Sequence, residues 1–265
     1  MIALIQFFIR NQIRSKRMIW MILLSLVPVV TCVALSALRP LMKDSDLALA
    51  PLFPQMIQVM YLHFMLPLLC LFVGTSAIAD EVKDRTLPYL TIRPVPKWQI
   101  ILSKNLVGFV TVSIFLFFSL GMTYSILMMD EGLGDWVSHL SMLFKNWGVT
   151  LLGVAVYLPI FSIIGGVFQK PVLASLIFAF GWESHISFFP GNLKLFTLVY
   201  YLHRLTPQVE KSSLFHMNTP IISFIMKQTQ VSLSTAWIVL MASIFLFWAG
   251  SLTVLYFKEY RMTLE

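Results

Sequence analysis

The sequence predicts an all-α membrane protein, and three observations lead there. Of 265 residues, 58% are hydrophobic and only 12% charged, with a mean hydropathy of +0.82; an ordinary soluble domain is about a quarter charged. The apolar residues gather in runs close to the ~20 residues that a helix needs to cross a bilayer at about 1.5 Å per residue. The basic residues flank those runs and form no folded basic face, which removes the nucleic-acid reading that a pI near 9.5 and a net charge of +7 invite. A water-soluble fold of this length has no single core able to hide so much apolar surface, so lipid is the solvent for much of it.

Six spans are expected, over residues 18–38, 55–79, 105–129, 147–168, 171–190 and 231–257. All but the fifth are free of Asp, Glu, Lys and Arg; the fifth is interrupted by Glu183 and His185. The first is longer than a signal-peptide core and has no small-x-small cleavage site, since Leu35 stands two before Ala37, so it reads as a retained span. The two cysteines, Cys32 and Cys70, fall inside apolar runs and read as small buried hydrophobes, not as a disulfide or a metal pair.

Orientation follows from Lys and Arg in the connections. Arg10, Arg14, Lys16 and Arg17 precede the first span, and Lys83, Arg85, Arg93, Lys97 and Lys104 lie between the second and third. Lys170 joins the fourth and fifth, and Lys258 and Arg261 follow the sixth. The opposite side carries fewer cations over longer segments, together with Asp44, Asp46, Asp130, Glu131, Asp135, Glu183 and Glu210. Both termini are therefore expected in the cytoplasm, a parity that six spans satisfy.

Two amphipathic pieces flank the spans. In residues 1–17, Gln6, Arg10, Arg14 and Arg17 recur at helical spacing while Ile2, Ile5, Phe8, Ile9 and Ile13 fill much of the rest, the pattern of an interfacial helix facing anionic headgroups. On the external side, residues 183–230 open with an aromatic and aliphatic stretch, 192–205, too polar at Lys194, His203 and Arg204 for a further span. One or two short helices at the outer interface, or re-entering from it, are expected there, followed by loop composition from Thr206 to Pro220.

Several chemistries are missing. None of the 12 glycines belongs to a Gly-x4-Gly-Lys-Ser/Thr phosphate loop, and there is no His-Glu-x-x-His. His63, His139, His185, His203 and His216 have no metal-ligand spacing, and no serine-nucleophile elbow exists, since Gly74-Thr75-Ser76 lacks its second glycine. No enzyme activity and no cofactor are expected in this chain. Ion-driven transporters place acidic residues within the bilayer, whereas the centres of these spans offer only His63, near Gln55 and Gln58. That histidine is expected to hydrogen-bond a neighbouring helix or a backbone carbonyl, with a place in the lining of a polar cavity as the alternative, and any energy for transport is expected from outside the chain.

Residues 80–104 form the most informative stretch. Asp80 and Glu81 are read as opening a short helix with Val82, Leu87 and Leu90 on its apolar side. Pro94 and Pro96 then stiffen a turn, and a new helix begins near Lys97 and runs into the third span. The result is a rigid, charged knob outside the bilayer.

At Glu81, Arg85-Thr86-Leu87, Leu90, Arg93-Pro94-Val95 and Lys104, the sequence resembles the cytoplasmic signature of ABC-2 type exporter permeases. Pro96-Lys97 and Asp84 depart from the commoner pattern, which bears on the details of docking. The resemblance implies one transmembrane domain over residues 1–265, with an N-terminal interfacial helix, six spans, a coupling helix between spans 2 and 3, and external helices between spans 5 and 6. It implies an ATP-driven exporter of hydrophobic or amphipathic cargo in a bacterial inner membrane. A separate ABC ATPase would bind the ATP and Mg, and a second permease chain would complete a homodimer or heterodimer. Glu81, Arg85 and Thr86 would then touch the ATPase, with Leu87 and Leu90 packing beneath and Arg93-Pro94 setting the turn. A non-transporting anchor, assembly or immunity subunit that holds an ATPase is the alternative.

Overall fold

The computed structural model describes residues 2–38, 52–83, 96–129, 136–137, 139–187, 192–207 and 231–257, and every regular element among them is helical. The chain begins with α1 (Ile2–Ile13) and α2 (Lys16–Leu38). Helix α3 is composite: α-helical over Leu52–Met56, π-helical over Ile57–Met65 and α-helical again over Leu66–Lys83. Helices α4 (Lys97–Leu127) and α5 (Leu140–Val167) follow. Helix α6 runs as α-helix over Pro171–Leu176 and π-helix over Ile177–Ser184. A 3-10 turn (Asn192–Phe196) leads into α7 (Leu198–Leu205), and α8 (Leu233–Phe257) is the last described element.

Among the described residues, five helices are long and apolar enough to cross a bilayer: Arg17–Leu38, Ile57–Ile78, Trp98–Leu127, Leu140–Val167 and Leu233–Val254. The chain is thus a multi-pass, all-α membrane protein. The apolar helix Pro171–Ser184 is shorter; at 1.5 Å per residue it reaches about 21 Å, less than the ~30 Å of a hydrocarbon core. A span over 171–190 therefore needs more than this helix supplies.

Two local expectations change. The cationic stripe over residues 1–17 does not lie on one helix, because α1 ends at Ile13 and Ser15 restarts the chain, its carbonyl accepting from the Met18 N–H at 3.0 Å. Serine favours helix starts over helix interiors because its hydroxyl competes for nearby backbone groups. Gln6 and Arg10 thus ride on α1, whereas Arg14 sits in the break and Arg17 on α2. Likewise Asp80 and Glu81 do not open a new helix; α3 continues through them to Lys83.

Helix α1 is held by its apolar side. Phe8 is buried with Ile100 and Val107 of α4, and Leu4 and Ile5 pack alongside. Burying such a ring stabilises by about 1.5–3 kcal/mol. Lys104 Nζ lies 5.3 Å from the centre of the Phe8 ring and donates to the Ala77 carbonyl at 2.9 Å, so one lysine joins α1, α3 and α4.

The centre of the bundle is the α3–α5 pair, the most extensive helix contact, with α5 the most enclosed span and α8 the least. The pair comes close because glycines face backbone. A Cβ at Gly165 would stand 2.6 Å from the Thr75 carbonyl oxygen, and one at Gly74 would stand 2.8 Å from that of Leu158. Small residues at such crossings let membrane helices gain dispersion contact where lipid gives no hydrophobic drive. Polar cross-links add direction: Tyr61 Oη is 2.8 Å from both Ser119 Oγ and Thr123 Oγ1, and Ser119 donates to the Ser25 carbonyl. Trp248 Nε1 donates to the Ala155 carbonyl at 2.9 Å, and Asn105 Nδ2 to Ser251 Oγ at 3.2 Å, both fastening α8. Cys32 and Cys70 are free and fully buried, as small apolar residues would be.

Candidate functional site

Polar side chains concentrate at the end of the bundle remote from Lys83 and Lys97, where the two π-helical stretches meet α7. Such stretches are rare and frequent at functional sites. Here their ladders bond five residues back, and side chains repeat that reach: Ser184 Oγ donates to the Ala179 carbonyl at 3.1 Å, and His185 Nδ1 contacts that of Phe180. Phe64 and Phe180 pack with ring centres 5.7 Å apart, so the two stretches touch.

Glu183 is the first element of the site. It is buried, and it only accepts: Tyr157 Oη donates to Oε2 at 2.9 Å, and the Leu198 and Val199 N–H groups donate at 3.1 and 3.2 Å. The first amides of a helix have no partner within it. Thr197, the residue preceding α7, offers them no side-chain cap, since its hydroxyl donates to the Lys194 carbonyl. Glu183 supplies that cap from another helix, placing a negative group where the helix dipole favours one. Glu183, which the sequence marks only as an interruption of the fifth apolar run, lies in the interior because Tyr157 and the start of α7 satisfy it there.

His63 is the second element. Its Nδ1 is 2.9 Å from the Gln58 carbonyl, which can only accept, so Nδ1 carries the proton. The same N–H is 3.1 Å from His203 Nε2 of α7, and His63 Nε2 is 3.2 Å from Ser187 Oγ. Gln58 Nε2 donates to Thr206 Oγ1 at 3.4 Å, and Thr206 donates to the His203 carbonyl at 2.7 Å. His63 thus bonds a backbone carbonyl and a neighbouring helix, as the sequence led us to expect. Arg204 Nε donates to the Val231 carbonyl at 3.0 Å, fixing the other side of α7 to the start of α8.

Helix α7 is therefore a short lid seated on α3, α6 and α8 by satisfied polar bonds, over a core that includes Leu198, Val199 and Leu202. Among the described residues no group of three or more His, Cys, Asp or Glu is placed to hold a metal ion. Residues 192–205, where the sequence predicts one or two short helices, form the 3-10 turn and α7.

Of the residues expected at the ATPase contact, Glu81 lies in the last turn of α3 with its side chain outside the described residues. Arg85, Thr86, Leu87, Leu90, Arg93 and Pro94 also lie outside them. The far edge of that segment is described: Pro96 is extended at φ −64°, ψ 135°, and α4 starts at Lys97 as expected.

A multi-pass helical bundle with long apolar spans is the architecture of an integral membrane protein. Residues 12–182 match the family model described as "ABC-2 family transporter protein". That match covers more than half of the chain, which belongs to this family of ABC-2 permeases. Membership implies association with an ABC ATPase subunit and a non-catalytic role for the chain itself. No curated protein matches the sequence.

Proposed function

We propose that this chain is the membrane-spanning permease subunit of an ATP-driven exporter, moving a hydrophobic or amphipathic cargo outward across a bacterial inner membrane. The observation that carries the reading is the family match, which runs from residue 12 to residue 182 and so includes the whole 80–104 connection. The chain contributes the path and a handle; a partner ATPase binds ATP and Mg and supplies the work. Both termini and the handle face the cytoplasm, with 171–190 as a sixth crossing, in line with the positive-inside distribution of Lys and Arg. A second permease chain, identical or related, completes the pathway.

Coupling works through differential binding, since an ATPase shifts a permease only by gripping one of its conformations more tightly than the other. Glu81, Arg85 and Thr86 form the grip, Leu87 and Leu90 its apolar underside, and Arg93-Pro94 the turn that returns the chain to α4. Because α3 and α4 leave the bilayer directly into this segment, displacement there acts on two central helices at once. Lys104, bonded to Ala77 and stacked on Phe8, carries α1 along with them.

The test is Glu81→Lys and Arg85→Glu in the assembled complex. Each is expected to abolish ATP-driven movement of cargo in vesicles while the chain still inserts. Normal ATPase stimulation and normal export by both variants would refute the assignment, and an ATPase that copurifies without any transport would point to an anchor instead.

A further inference from the structure

We propose that the His63–His203 contact is a proton-sensitive latch, which seats α7 on α3 while both rings are neutral and releases it when His203 Nε2 takes up a proton. This goes beyond the transport reading and is tested on the chain alone.

The argument starts from which nitrogen holds which hydrogen. The Gln58 carbonyl fixes a hydrogen on His63 Nδ1, and the 3.1 Å contact then requires a lone pair on His203 Nε2. A proton added at that atom would set two N–H groups against each other at hydrogen-bond distance, and the bond would become a repulsion between a cation and a donor. A proton added to His63 at Nε2 has a softer consequence, because Ser187 Oγ at 3.2 Å is able to accept. His203 is therefore the trigger and His63 the seat. The rings pack edge to face with centres 4.7 Å apart, so loss of the bond also loosens ring contact.

Among the described residues the carboxylate that touches α7 is Glu183, at the opposite end of the helix from His203. On α6, that carboxylate accepts from Tyr157 and from the first amides of α7 and makes no contact with His203, and His185 is bonded to the Phe180 carbonyl. On α7, Arg204 adds like charge, Tyr201 donates to the Leu195 carbonyl, and Tyr200 lies under Lys194. Tyr157 of α5 belongs to Glu183, and the described side chains of α8 include no titratable group. Cys32 on α2 and Tyr61 on α3 are buried and neutral partners of apolar and hydroxyl neighbours. The dipole at the end of α7 favours a cation there, but burial and the facing His63 outweigh it and hold the His203 imidazole down to about 3.

The sign follows. The seated state binds fewer protons than the released one, in which a histidine titrates near 6.5. Lowering pH through that value drives release, and the ratio of released to seated α7 is expected to rise about 30-fold between pH 7.5 and pH 5.

The experiment uses the full chain in lipid nanodiscs with spin labels at Val59→Cys and Leu193→Cys, both exposed, while native Cys32 and Cys70 are buried and escape labelling. A single distance at pH 7.5 and a second, longer population growing toward pH 5 are expected, with no such change in H203Q. An identical distribution across that range, or an acid-induced change that persists in H203Q, overturns the latch. Should H203Q fail to insert, a chain carrying H139Q, H185Q and H216Q leaves only His63 and His203 for 15N labelling. Protonation of the His203 ring in step with the distance change supports the proposal, and protonation without it overturns it.

Discussion

Removing the Glu183 carboxyl tests whether α7 is held by a cap from another helix. Glu183→Ala strips partners from the Tyr157 hydroxyl and from the Leu198 and Val199 amides, three donors at 2.9, 3.1 and 3.2 Å. Each buried donor left without a partner costs about 1–3 kcal/mol. Some water entry and α7 fraying recover part of that, so a loss of about 3–6 kcal/mol in the seating of α7 is expected. Amide hydrogen exchange over residues 198–205 reads this directly, because seating free energy appears as protection. A loss of that size lowers protection by about 10²–10⁴-fold, at about 1.4 kcal/mol per decade. Glu183→Gln keeps an acceptor for the amides and offers an NH2 that Tyr157 Oη is able to accept, so it should lose only about 1–2 kcal/mol. Tyr157→Phe added to Glu183→Ala removes one orphaned donor and should restore part of the loss, a coupling that a double-mutant cycle isolates. Protection in Glu183→Ala within tenfold of the parent, or equal effects of Ala and Gln, would refute the reasoning.

Further outcomes follow from packing. Gly165→Ala drives a methyl to 2.6 Å from a backbone oxygen, and overpacking that only a helix shift relieves costs about 1–3 kcal/mol. Gly121→Ala meets nothing within 4 Å and should be neutral or stabilising by up to about 1 kcal/mol; thermal unfolding of the two in matched detergent should separate them, and equal tolerance would deny the close α3–α5 approach. Tyr61→Phe leaves Thr123 without its tyrosine partner while Ser119 keeps the Ser25 carbonyl, so a loss of about 1 kcal/mol is expected. Tyr61→Ala, which empties a fully buried site, should lose about 3–5 kcal/mol in the same assay.

How much of this was legible beforehand depends on the range of the cause. Helix α4 starts at Lys97 because Pro96 stands before it, and hydropathy alone marked the five long spans. Both are local properties. The break at Ser15 was also local, yet the regular spacing of Gln6, Arg10, Arg14 and Arg17 masked it, since periodicity continues through a residue that favours starting a helix anew. Glu183 read as an interruption of an apolar run because its partners lie 15, 16 and 26 residues away in sequence. The nearest available signal was an acidic residue placed before a short amphipathic helix with no acid in its own first turn.

Sequence by itself determined that this chain lives in lipid, where its five long apolar helices run, and which family it resembles through residues 80–104, because apolar run length, proline and charge act on their immediate neighbours. Tertiary structure decided which polar groups are buried and what they touch. His63 meets His203 across 140 residues, and Gly165 meets the Thr75 backbone on another helix. Such pairings depend on how helices rotate and cross, and that is set by the summed packing of the whole bundle and by no single segment of it.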